Sequence, residues 1–190
     1  MKKRVILSAG FAALLLVAGC STTNSGSGSS DPAAKRRSID SGVDAALSNL
    51  YKAEAGSREL VAKAKGVLVF PSVVSAGFVV GGSYGEGALR VAGRTTGYYS
   101  TAAGSVGLLA GAQSKAVYLL FMTQEALQKF QASEGWTAGA DASVTMINVG
   151  ASIDATTATA QQAIIGYVLT TGGLMANLSI DGTKFTRLNL

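Results

Sequence analysis

The sequence has no histidine and a single cysteine, Cys20. Without an imidazole there can be no Ser-His-Asp triad and no Cys-His pair, because both need a histidine to take the nucleophile's proton. Zinc sites built from Cys and His are excluded on the same ground. A lone cysteine has no intramolecular disulfide partner, so its role lies elsewhere. The acidic residues Glu86, Glu125, Asp141, Asp154 and Asp181 are scattered along the chain, whereas an oxygen-ligand metal site needs them clustered. Nothing in the sequence calls for catalysis, a metal or a cofactor, and the chain reads as a protein that is not an enzyme. Charge is scarce too, at 14%, against 48% hydrophobic residues and a mean hydropathy of +0.33. Disordered chains show the opposite balance, so a packed core is expected.

The formal charge of +5 is unevenly placed. Of sixteen Lys and Arg, Lys2, Lys3, Arg4, Lys35, Arg36 and Arg37 precede Ser38; of eleven acidic residues, only Asp31 does. The remainder is ten against ten and therefore neutral. A nucleic-acid binder concentrates cations on its folded surface, so no nucleic-acid partner is expected. A basic cluster beside a membrane anchor instead meets anionic head groups, at about 1 kcal/mol per residue.

Such an anchor is legible at the amino end. Lys2-Lys3-Arg4 precedes an apolar stretch from Val5 to Ala18, which is too short to span a bilayer but fits the core of an export signal. Leu16-Val17-Ala18-Gly19-Cys20 then resembles the lipobox of bacterial lipoproteins. The resemblance implies cleavage after Gly19, lipid attached to the Cys20 thiol, and acylation of the new amino terminus, palmitate being a usual acyl group. Residue 21 is Ser rather than the Asp that retains Gram-negative lipoproteins at the inner membrane. The outer membrane, facing the periplasm of the cell envelope, is therefore the expected location. Residues 1–19 are read as the signal peptide, 20–37 as a lipidated flexible tether rich in Ser and Gly, and 38–190 as one folded domain.

In that domain Ile39, Val43, Leu47 and Leu50 recur with helical spacing, and Ser38 or Ser41 could cap the helix. Its end is expected near Ala55-Gly56, with Ser57 capping a second short helix. Strand-like runs follow: Val67 to Phe70 stopped by Pro71, Gly77 to Val80, Gly87 to Val91, Tyr98 to Leu109 and Ala116 to Phe121. The glycines from Gly81 to Gly87 lack a phosphate-loop ending and read as a turn or a close strand contact. Thr123 predicts a cap for a short helix carrying Ala126, Leu127 and Phe130. One or two strands are expected between Trp136 and Val149, a polar loop over Asp154 to Gln162, and a strand from Ile164 to Thr170. A hairpin is expected from Leu174 to Leu188 around Asp181-Gly182. The fold class is α+β, mainly an antiparallel β barrel or sandwich with N-terminal helices and one short internal helix. The aromatic residues, from Phe78 and Tyr84 to Trp136 and Tyr167, read as core rather than as a ligand box. Tyr98 and Tyr99 should point to opposite faces of a strand.

Several segments together are similar to a SYLF domain. They are Lys65 to Phe70, Ala76 to Gly82, Gly85-Glu86-Gly87, the Gly-rich Gly104 to Gln113, the helix from Thr123, and Gly172-Gly173-Leu174 through Asp181-Gly182. The resemblance runs from Ile39 to Leu190. It implies a non-catalytic module that binds phosphoinositides or other anionic lipids; yeast members also bind actin, which is not expected of an envelope protein. Membrane phospholipids are thus the expected partner. Lys35, Arg36, Arg37, Lys63, Lys65, Arg90 and Arg94 are the candidate head-group contacts, with Cys20 as the lipidation site. The alternative is a structural or protein-interaction module of the envelope that touches lipid only through Cys20.

Overall fold

Asp31-Pro32 opens the first helix. The computed structural model describes residues 31–77, 80–106, 111–147, 162–170, 173–174 and 180–190; the signal peptide, Cys20 and most of the expected polar loop lie outside them. The Asp31 carboxylate accepts a hydrogen bond from the Ala33 amide at 3.0 Å. Pro32 sits in the first turn, where its missing N–H is no loss. Helix α1 (Pro32–Ala53) therefore begins before Ser38, and residues 32–37 are helical rather than part of the tether. The reason is local: an Asp cap and Pro are followed by Ala, Ala, Lys, Arg and Arg, all good helix formers.

Helix α2 (Ser57–Lys63) follows at once. Ser57 does not cap its start; its buried hydroxyl donates to the Glu54 carbonyl at 2.6 Å and the Leu50 carbonyl at 3.2 Å. It thereby satisfies the terminal carbonyls of α1 and locks the corner between the two helices.

Four long strands form the centre: β1 (Gly66–Gly77), β2 (Val80–Val91), β3 (Arg94–Val106) and β4 (Gly111–Phe121). Helix α3 (Gln124–Ala132) comes next, capped by Thr123, whose side chain accepts from the Ala126 amide. Then follow β5 (Gly135–Thr137), β6 (Thr145–Met146), β7 (Ile164–Thr170), β8 (Gly173–Leu174) and β9 (Lys184–Leu188). One curled sheet runs β5-β9-β3-β2-β1-β4-β7-β6, with β8 pairing on β7 off this path. Every pairing is antiparallel except that of β6 with β7. The molecule is mostly sheet with three helices, as the composition suggests. Its sheet is a half-barrel, however, rather than a closed barrel or a sandwich of two sheets: no ladder joins β5 to β6 among the described residues.

Three local expectations are corrected. Pro71 does not stop its strand. The β1 register shifts between Val69 and Ser72, so Pro71 lies in a β-bulge, which tolerates a residue lacking a ladder donor even in a central strand. Of the two readings of Gly81 to Gly87, the turn is set aside and the close strand contact holds: the segment is part of β2. A methyl group on Gly87 would collide with the Val69 carbonyl oxygen, and one on Gly85 with the Ser72 carbonyl, so the glycines make room for the bulge. Finally, Asp181-Gly182 is a turn, with Gly182 at a φ of 78°, but the strand after it, β9, has β3 and β5 as its neighbours; residues 175–179 of the expected hairpin lie outside the described residues.

The sheet buries both faces in its lower half. Inside the curl, Phe70, Phe121, Phe130, Trp136 and Phe185 pack ring against ring at 4.9 to 5.6 Å together with Tyr99. On the other face, Ile39, Val43, Ala46 and Leu50 of α1 cover Val67, Val69, Ala88, Tyr118, Leu120 and Tyr167. Burial on both sides explains the continuous apolar run of Val67 to Phe70. The aromatic reading holds for these residues but fails for Tyr84, which is exposed on an uncovered part of the sheet, and Phe78 lies outside the described residues. Tyr98 and Tyr99 do face opposite ways: Tyr99 is inside the curl and Tyr98 faces α1.

Candidate functional site

The expected head-group residues all come from the helical face of the sheet or its lower rim, yet the structure does not gather them into one patch. Lys35 and Arg90 are committed to the fold. Lys35 Nζ contacts Glu86 Oε1 at 2.7 Å, tying the first turns of α1 to β2. Arg90 bonds Asp44 Oδ1 at 2.8 Å and lies 3.5 Å from Asp40 Oδ1. Asp40 is a hub, because its carboxylate also accepts from Thr95 Oγ1 at 2.6 Å and Tyr98 Oη at 2.8 Å. Burial, helped by the bond to Asp40, pushes the Tyr98 hydroxyl up. This cluster clamps α1 onto the β2–β3 turn, and a guanidinium so held is not free to meet a phosphate.

The remaining cations are better placed for a ligand. Arg37 is exposed and has only a long, solvent-bathed contact of 3.8 Å with Asp31, of a kind that contributes little. Arg36 lies on the same turn, near enough to Tyr98 to favour its ionised form. Lys63 and Lys65 flank the end of α2, and Arg94 sits beside the tight turn made by Ala92 and Gly93, whose φ angles are 49° and 77°. Neither Lys63, Lys65 nor Arg94 has an ion-pair partner among the described residues. A cleft of about 360 Å³ opens between α1, α2 and that turn, lined by Leu47, Tyr51, Val61, Val67 and Arg90 with Asp44. Its walls are mostly apolar, and Asp44 makes its mouth unfavourable for a phosphate.

Sequence reasoning missed a second feature, the upper half of the face that α1 covers below. Val74, Val80 and Tyr84 are 49%, 72% and 52% exposed. Val74 stands opposite Tyr84 on β2 and Ser114 on β4, and Tyr84 opposite Ala102 on β3, so these residues share one side of the sheet. The available signal was the absence of charge: none occurs from Gly66 to Gly85 or from Thr95 to Ser114. Tyr84 donates to Glu86 Oε1 at 2.8 Å, marking the border with the covered half.

Among the described residues no helix is long and apolar enough to cross a membrane, and no group of three or more His, Cys, Asp or Glu could hold a metal. No curated protein matches the chain. The model of the Ysc84 family, whose description is Las17-binding protein actin regulator, matches residues 102–189. The matched stretch runs from the middle of β3 through β9, so every expected head-group residue precedes it. That match supports a SYLF-like domain in this chain.

Proposed function

We propose that the protein is a non-catalytic envelope lipoprotein, anchored through Cys20 at the outer membrane, whose SYLF-like domain binds anionic phospholipid. The observation that carries the reading is the start of α1. Arg36 and Arg37 project there with no strong internal partner, at the end of the domain nearest Cys20. The SYLF-like match is consistent with a lipid-binding module. The matched family's description names Las17 and actin; actin is not a partner proposed for an envelope protein.

The cations act by screened attraction to head groups, worth about 1 kcal/mol each near a charged surface. Residues 21–190, lacking the anchor, should therefore sediment with phosphatidylglycerol vesicles and much less with phosphatidylcholine. Replacing Arg36 and Arg37 by Gln should weaken that binding by about 2 kcal/mol at low ionic strength, with the difference fading as salt is added. Lys35→Ala is a poor substitute, because it also breaks the tie to Glu86. Equal sedimentation with both vesicle types, or none with either, would overturn the reading in favour of a protein-interaction module.

A further inference from the structure

The uncovered upper half of the sheet faces the same way as the helix-bearing half, and the chain enters the domain at the border between the two. Along β2, Lys35 meets Glu86 and Asp40 meets Arg90. Helix α1 thus points its amino end, at Asp31, toward Tyr84 and Val80. Ten residues, 21–30, lie between Cys20 and Asp31, an average reach of about 17 Å for a coil of that length. A lipid on Cys20 would hold this face, rather than the α3 side, against the bilayer.

The face has the chemistry such a position needs. Val74, Ala76, Val80, Tyr84, Ala102 and Ser114 are exposed, small or apolar, and uncharged. Since β1 lies between β2 and β4, and β2 between β1 and β3, the backbone from Val74 to Ala76 and from Gly81 to Tyr84 is paired on both sides. Entering lipid headgroups strands no amide or carbonyl at those residues. Tyr84 lies at the border, apolar ring outward and hydroxyl on Glu86, as amphipathic aromatics sit at membrane interfaces. Arg36 and Arg37 flank the same border from α1. We infer that Val74, Val80 and Tyr84 form a shallow insertion surface that seats the upper sheet in the interfacial layer of the anchoring bilayer. The inference rests on the proposed membrane function and adds to it the surface that enters the lipid.

The test uses the full-length lipidated protein on phosphatidylglycerol vesicles whose acyl chains carry bromine close to the head group. Trp136, buried in the core, is first changed to Phe to remove background emission. A reporter is then placed by Val80→Trp in one protein and by Lys129→Trp, on the exposed side of α3, in another. Insertion by about 5–10 Å should quench roughly half the emission at position 80 and shift it to the blue, leaving position 129 unchanged. Adding Val74→Asp should abolish the quenching at position 80 while the anchor keeps the protein on the vesicles. Sedimentation without quenching at position 80 would overturn the insertion surface and leave anionic-lipid binding standing. Equal quenching at both positions would also overturn it. Failure to sediment would overturn both readings. Should Trp136→Phe fail to fold, a bimane label on Val80→Cys, made with Cys20 already lipidated, gives the same readout in the native core.

Discussion

At the residue scale, buried hydroxyls show how this fold spends its few polar groups. Tyr118 is fully buried beneath α1 and donates to the Ala46 carbonyl at 2.8 Å. Burial pushes its hydroxyl up to about 12 from the ordinary value of 10.0. The folded state holds this proton more tightly than the unfolded chain does. The contribution is therefore complete below pH 10 and is lost as pH rises from 10 toward 12. Tyr118→Phe should cost about 1 kcal/mol at neutral pH through the lost hydrogen bond. The same variant should show a shallower fall in stability between pH 10 and 12, read by urea titration at each pH. Tyr167, also buried, is raised in the same sense, so part of the alkaline fall should remain in the variant. The positions of such tyrosines could be read as core from the sequence. Asp40 could not: it looks like an ordinary polar position on an amphipathic helix, and only the fold brings Thr95, Tyr98 and Arg90 to it across fifty or more residues of chain.

At the scale of elements, the legible parts were those whose signals are local. Thr123 capped the helix expected of it, and Ile164 to Thr170 formed its strand. The start of α1 was hidden because Asp31-Pro32 sits at the end of a Ser- and Gly-rich run, where composition outweighed a cap signal two residues long. Gly81 to Gly87 stayed open between two readings for a different reason. Glycine marks both turns and close backbone approach, and the two differ only in what lies opposite. Here the opposing feature is the Pro71 bulge, and Gly42 of α1 also packs over that proline, a methyl there falling 3.1 Å from its ring. Three glycines, Gly42, Gly85 and Gly87, and one proline thus form a single fitted joint. Gly87→Ala should cost about 3 kcal/mol or more by forcing β1 from β2. Gly104→Ala, with nothing within 4 Å, should stay within about 0.5 kcal/mol of the parent. Chemical denaturation of both variants measures the contrast.

At the scale of the whole molecule, the described surfaces take sides. Basic residues on the first turns of α1 and an uncharged sheet face lie on one side of the sheet, while the aromatic core lies inside the curl. The proposed anchor at Cys20 has its own test. Metabolic labelling with a palmitate analogue should tag the wild type and leave Cys20→Ser unlabelled. Label retained in the variant would remove the anchor from this picture. The proposed anchor is an expectation drawn from residue types in a row. The exposed face could not be read that way, because alternation of small residues along a strand does not say which alternate set is covered; that depends on where α1 begins.

The place of β9 in the sheet bears on how the molecule comes to be finished. Ribosomes deliver residues in chain order, but the ladder does not follow that order: Tyr98 waits for Leu188, and Thr101 for Phe185. Until residues 184–188 arrive, β3 has a bare edge, and the rings of Phe70 and Trp136 lack the neighbour each touches in the completed core. The unfinished sheet is therefore a slot with one fitting occupant, made after the strands it joins. Closure waits on those five residues.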